Sequence, residues 1–217
     1  MIKSKYIWKL TESDLPDEFL KLSKKYKLDT LAAQILWQRG IRAEEEIQAY
    51  LNPDLQQLHD PFLLHDMEKA VQRILTAIEN GQNILIYGDY DADGMTASSV
   101  MKSALDELGA EVQVYLPNRF TDGYGPNLDV YKYFIQNEDI DLIITVDNGV
   151  AGHEAIAYAQ SQNVDVIVTD HHSMPEVLPE AFAIVHPEHP ESNYPFKYLA
   201  GVGVAFKVAT ALLDYIP

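Results

Sequence analysis

Three short apolar runs each end on acidic or imidazole side chains. Ile84-Leu85-Ile86-Tyr87-Gly88 runs into Asp89, Asp91 and Asp93; Leu142-Ile143-Ile144-Thr145-Val146 runs into Asp147; Val164 through Thr169 runs into Asp170, His171 and His172. Runs that are apolar at nearly every position, with no polar alternation, read as strands buried on both faces, as in parallel sheets. Helical spacing separates them, and alternation of strand with helix predicts an α/β fold: a doubly wound, mostly parallel sheet flanked by helices. Open α/β sheets place ligands beyond the carboxyl ends of their strands. Five carboxylates and two imidazoles are therefore expected at one sheet edge. Like charges packed that closely repel, so the pattern implies bound metal.

The alternation begins at Asp66, which is placed to cap a helix running to Asn80 and stopped by Gly81. Helices are then expected over Gly94–Leu108, Leu128–Gln136, His153–Gln162 and Val202–Tyr215, with strands at Ile84–Tyr87, Val112–Leu116, Leu142–Val146, Val164–Val168 and Ala183–Val185. Earlier residues read differently. Ser13–Tyr26 and Thr30–Trp37 repeat apolar residues at helical spacing (Leu15, Phe19, Leu22; Leu31, Ile35, Leu36), Gly40 stops the second, and Ala43–Leu51 is a third short helix. Pro53–Pro61 reads as a linker. The expected division is a helical segment with linker over 1–65 and a catalytic domain over 66–217.

Charge bears on the ligand. The net charge is −17, split as +1 over residues 1–50 and −18 over residues 51–217. Counterion-release binding of nucleic acid needs a basic surface; bound divalent metal would cancel part of the excess locally. There is no cysteine, which excludes disulfides and thiolate metal sites. No apolar run approaches the length of a membrane span, and the first residues lead into no signal-like segment, so a cytoplasmic protein with no membrane partner is expected.

Asp89-Tyr90-Asp91-Ala92-Asp93-Gly94 follows a strand and opens a helix. Alternate residues of an extended segment share a side, and capping needs one Asp, not three. A calcium loop of the EF-hand kind would need Glu six residues after the glycine, which is missing. Asp91-Ala92-Asp93 also fits the D-x-D of haloacid-dehalogenase-like phosphatases, but Met95 stands where they need Thr or Val, and His171-His172 is left unexplained. Asp147-Asn148-Gly149 and Asp170-His171-His172 each follow a strand. The loop Pro117–Pro126 holds Arg119, suited to bidentate phosphate contact. Gly201-Val202-Gly203 opens a helix whose N–H groups are placed to hold a phosphate.

Taken together, these motifs resemble the DHH phosphoesterase family, and within it the RecJ branch of single-strand-specific 5′→3′ DNA exonucleases. The likeness is carried by Gly88 to Gly94, Val146 to Gly149, Val168 to His172, Leu199 to Lys207, and Pro117-Asn118-Arg119 with Gly123-Tyr124-Gly125. Leu36 to Ile41 and Leu51-Asn52-Pro53 add to it. The resemblance implies hydrolysis of single-stranded DNA from its 5′ end to nucleoside 5′-monophosphates, in repair and recombination, with two divalent ions, Mn²⁺ or Mg²⁺. By motif position the ions share Asp147; Asp91 serves one, and Asp93 with His171 the other. Asp89 is a ligand or supports one, and His172 contacts the scissile phosphate. Arg119, Asn148, Gly201 and Gly203 position the substrate. Implied partners are a single-strand-binding protein and a RecQ-type helicase, with the chain monomeric. The other readings are a DHH phosphodiesterase for oligoribonucleotides, cyclic dinucleotides or pyrophosphate, and an inactive scaffold. Many members carry His where Tyr87 stands and Asn-Pro-Asn where His186-Pro187-Glu188 stands. Members also continue into a further Asp-bearing motif, an associated domain and an OB-like domain, so the chain is expected to be an N-terminal fragment.

Overall fold

The computed structural model describes residues 14–215. The chain divides after Leu58 into a small helical unit and a larger α/β unit. Among its described residues the small unit has three α-helices, α1 (Asp17–Lys25), α2 (Thr30–Gln38) and α3 (Glu44–Leu51), around Phe19, Ala33, Leu36 and Ile47. Gly40 takes φ +81 and ends α2, as its place after Arg39 predicts. Ser13, the expected start of the first helix, lies outside the described residues.

The larger unit begins with residues 59–65, which the sequence reading assigns to the helical segment; Leu64 is buried in its core. Then follow α4 (Met67–Glu79), β1 (Asn83–Tyr87), α5 (Ala92–Glu107), β2 (Glu111–Tyr115), α6 (Leu128–Asn137), β3 (Leu142–Val146), α7 (His153–Ser161), β4 (Asp165–Thr169), β5 (Ala183–Val185) and α8 (Gly201–Leu213). The five strands are ordered β2-β1-β3-β4-β5, and every pairing is parallel. Strand alternation sorts the side chains. Ile84, Ile86, Ile144, Val146 and Ile167 pack with residues of α4, α5 and α8. Leu85, Tyr87, Ile143, Val166 and Val168 pack with residues of α6 and α7. The sheet is thus covered on both faces, as the unbroken apolar runs require.

Two expected caps differ in detail. Asp91 caps α5, accepting a hydrogen bond from Gly94 N at 2.9 Å, so the helix starts two residues before Gly94. Asp66 precedes α4 with φ +57 but does not cap it through its side chain. Its carboxylate instead accepts the Ile184 N–H of the edge strand β5 at 3.0 Å.

Candidate metal centre

From β1 the chain passes to β2 on one side, while β3 lies on the other. The carboxyl ends of β1 and β3 therefore flank the switch point at which α/β sheets take their ligands. Asp89 and Asp91 follow β1, Asp147 is the first residue after β3, and Asp170, His171 and His172 follow β4. Ligand atoms of Asp89, Asp91 and Asp147 lie within 4.8 Å of one another, and so do those of Asp147, His171 and His172. Asp147 is common to both groups.

Asp147 is only 1% exposed and has φ +62, a left-handed conformation that Asp tolerates better than most residues. Its Oδ1 is buried without a hydrogen bond, although His171 Nε2 stands 3.0 Å away. The two atoms are adjacent without the angle of a hydrogen bond, as two ligands of one ion would be. An unpaired buried oxygen is rare, and the surrounding donors are carboxylates and imidazoles, so the residues fit divalent cations of the Mn²⁺ or Mg²⁺ kind. Burial pushes the Asp147 carboxyl up to about 7, and Asp93 and Asp91 add to the rise. Burial likewise raises Asp89, against the Tyr90 N–H that donates to it.

These shifts fix a pH dependence. Between about pH 4 and 7 the folded chain holds a proton on Asp147 that the unfolded chain has released, so metal-free stability falls as pH rises through that window. Metal competes with the same proton. The Mn²⁺-induced rise in melting temperature is expected to be small near pH 5.5 and large near pH 7.5, with apparent affinity changing about tenfold per pH unit below 7. A thermal shift independent of pH would show that Asp147 is not a ligand.

The remaining residues divide by role. Asp93 lies in neither group: its Oδ2 and Oδ1 accept the Gly201 and Val202 N–H groups at 2.7 and 2.8 Å, clamping the start of α8, with His171 Nε2 at 3.4 Å. Gly201 packs directly on Asp147; a Cβ there would come within 2.6 Å of Asp147 Cβ and Cγ. Asp170, expected at this edge but with no role assigned to it, is buried and braces the site. Its Oδ1 accepts from His171 N (2.7 Å), His172 N (3.1 Å) and His172 Nδ1 (2.8 Å), and its Oδ2 from Val150 N (3.0 Å). Burial works to raise its pKa, but these bonds outweigh burial and the net shift is downward. The signal was its place in an Asp-His-His turn, where an Asp carboxylate reaches the amides that follow it. In return, the bond to Asp170 raises the pKa of His172.

Arg119 is exposed, with its guanidinium 5.3 Å from the Tyr90 ring centre, beside Asp89 and Asp91. Asn148 is fully buried, with Nδ2 on Val146 O (2.9 Å) and Tyr87 O (3.3 Å) and Oδ1 unpaired. Gly203 lies in the first turn of α8, where a Cβ would meet only the Leu199 side chain, at 3.3 Å. Tyr87 points to the α6/α7 face, where its hydroxyl donates to Gly125 O (3.1 Å) and accepts from Asn127 N (3.2 Å). It fastens the loop that carries Tyr124. That ring meets His172 edge-on at 5.5 Å, across a cleft of about 340 Å³ also lined by Pro126, Val150 and Asp170. His186 is buried: Nε2 bonds the His172 carbonyl at 2.8 Å and Nδ1 accepts from Glu188 N at 3.0 Å.

A family model described as DHH family, N-terminal domain, matches residues 83–216. The chain is 43% identical over 217 residues to the single-stranded-DNA-specific exonuclease RecJ of Bacillus subtilis (strain 168), covering 100% of this chain and 27% of that protein. It is 37% identical over 207 residues to the protein of that name in Escherichia coli (strain K12), covering 94% and 33%. Among solved structures it resembles RecJ in complex with Mn²⁺ from Thermus thermophilus, with TM-score 0.70 and 29% identity over 92% of this chain and 28% of that one. A structure of exonuclease RecJ bound to manganese matches with TM-score 0.63 and 33% identity, over 70% and 38%. The chain spans about a third or less of the curated relatives named here.

Proposed function

The chain belongs to the DHH family, and from that premise we propose that it carries the metal-binding half of a 5′→3′ exonuclease on single-stranded DNA that releases nucleoside 5′-monophosphates. The observation that carries this reading is the buried Asp147 carboxylate, common to two ligand groups and with one oxygen unpaired. Asp89, Asp91 and Asp147 would hold one divalent ion; Asp147 and His171, with Asp93 beside them, the other. Bound divalent cations supply Lewis acidity, acidifying water and neutralising the charge that builds on a phosphoryl group.

The chain's own groups do the positioning. Asp170 fixes the Nδ1–H of His172, leaving Nε2 to face the substrate. The raised pKa favours the protonated ring, so Nε2–H donates to a phosphate oxygen. Asp93 holds the N-terminus of α8 against the centre, and the Gly201 backbone approaches Asp147 as no other residue could. Arg119 is placed to take a neighbouring phosphate. Single-stranded DNA is thus the proposed substrate. A single-strand-binding protein and a RecQ-type helicase are proposed partners by family resemblance alone, as is the monomeric state. Among the described residues no helix is long and apolar enough to cross a membrane.

The test uses 3′-labelled single-stranded DNA with Mn²⁺. Shortening of the label-bearing strand from its 5′ end, stopped by chelator, is the expected result. Cleavage of oligoribonucleotides, cyclic dinucleotides or pyrophosphate in its place would move the chain to another branch of the family. Release of label at the first turnover would contradict the 5′ polarity.

A further inference from the structure

We propose that the arch Pro195–Ala200 forms a second nucleotide subsite on the His171 side of the centre, where Lys197 takes a backbone phosphate and Tyr198 stacks on a base. This rests on the reading that single-stranded nucleic acid is the substrate, and adds a phosphate and a base contact to it.

Both ends of the arch are tied down. Tyr194 is buried, with its ring edge-on to His59 at 5.7 Å and 5.8 Å from Lys207 Nζ, and Asn193 N donates to Leu63 O at 3.2 Å. At the far end the Gly201 and Val202 amides are held by Asp93. Between these anchors the chain turns its side chains outward. Tyr198 is 84% exposed and Phe196 46%, their rings edge-to-face at 5.8 Å. Two aromatic rings presented to solvent on a fixed backbone gain nothing from the fold; they suit stacking on bases, which needs little induced order.

The arch opens on the centre. A cleft of about 340 Å³ is lined by His171, Glu188, Lys197, Tyr198, Leu199 and Ala200, while the cleft at Tyr124 lies on the His172 side. A strand crossing the two ligand groups therefore has an exit on each flank. The cations are distributed accordingly. Residues 51–217 hold seven Lys and Arg. Arg73, Lys102 and Lys132 are in ion pairs, Lys207 is buried, and Lys69 lies over Phe182. Beside the centre stand Arg119, over the Tyr90 ring on the Asp89–Asp91 side, and Lys197 on the His171 side. Lys197 has no hydrogen bond or ion pair among the described residues. In a segment of net charge −18, a polyanion finds an exposed cation on each side of the centre. Glu188 shares the second cleft; its carboxylate repels phosphate there and leaves an acceptor for a base amino group, which places the phosphate at Lys197.

Tyr198→Ala, Tyr198→Phe and Lys197→Ala change exposed side chains. Each is compared with the wild-type chain, loaded with Mn²⁺, on 3′-labelled oligothymidylate and on bis-p-nitrophenyl phosphate, which has neither base nor second nucleotide. Binding of the oligonucleotide is read separately by fluorescence anisotropy in Ca²⁺. Tyr198→Ala is expected to weaken oligonucleotide binding and raise its KM about tenfold, with Phe restoring both. Turnover of the small diester should be unchanged, and an abasic oligonucleotide should not sense the substitution. Lys197→Ala should flatten the salt dependence by about 0.7 in log–log slope, one phosphate's worth on a single strand. Oligonucleotide binding by both alanine variants equal to wild type would overturn the subsite while leaving the metal centre untouched. Cleavage bears on the nuclease reading, and the anisotropy comparison decides the subsite independently of it.

Discussion

Replacing Asp147 by asparagine is expected to lower metal-dependent cleavage roughly 10³-fold, about 4 kcal/mol of barrier, and at the same time to raise the melting temperature of the metal-free chain above pH 7. The two effects have opposite signs for one reason. Asp147 is a buried carboxylate raised to about 7 by burial and by Asp93 and Asp91, so holding it ionised costs the empty fold stability. Asparagine keeps the shape, tolerates the φ of +62, and removes the charge. It also removes the anionic ligand common to both groups, so the Mn²⁺-induced thermal shift should largely vanish. Melting curves with and without Mn²⁺, beside cleavage rates on labelled single-stranded DNA, check both halves. An asparagine variant with a wild-type thermal shift would refute the shared-ligand geometry whatever its activity.

Gly201→Ala should damage the metal centre through a single methyl group. A Cβ at Gly201 would fall within 2.6 Å of Asp147 Cβ and Cγ, closer than carbon atoms approach, and neither neighbour is the free end of a flexible chain. Either Asp147 rotates away from its partners, or α8 backs off and breaks the bonds from Gly201 and Val202 to Asp93. Misplacing a reacting group by an ångström costs on the order of 10²-fold in rate, and overpacking costs about 1–3 kcal/mol of stability. Gly203→Ala is the matched control. Its Cβ would meet only the Leu199 side chain, at 3.3 Å, and alanine favours helix over glycine by roughly 0.5–1 kcal/mol. Equal behaviour of the two variants in metal titration and urea unfolding would show that contact with Asp147 is not what requires Gly201.

β1, β3 and β4 were legible because apolar runs with almost no polar alternation fit little else, and the carboxylates at their ends were legible because parallel sheets gather such ends on one edge. The same uniformity hid which face each side chain takes. Tyr87 sits in a run with no polar residue to mark the period, so nothing local says that it faces α6 and α7, away from the carboxylates. The division of labour among the acidic residues was hidden for a different reason. Asp93 finds its partners 108 and 109 residues along the chain, and Asp66 finds Ile184 118 residues away. Cap rules concern neighbours, and these carboxylates bond distant backbone. Asp170 and His172 are two residues apart, yet their bond could be read only once the turn had brought the ring back over the carboxylate.

The bond from Asp66 to the Ile184 amide has a bearing on the company this molecule keeps. A parallel sheet ends on strands whose outer amides and carbonyls invite another chain to pair with them. On the β5 side that invitation is brief, since the strand is only three residues long, and the amide at its middle is already answered by a carboxylate from the start of α4. A stray extended peptide arriving there would find a negative charge where it needs a carbonyl oxygen to lie. The middle of that edge is thereby closed to pairing, and the unit is kept from growing by accretion along that flank.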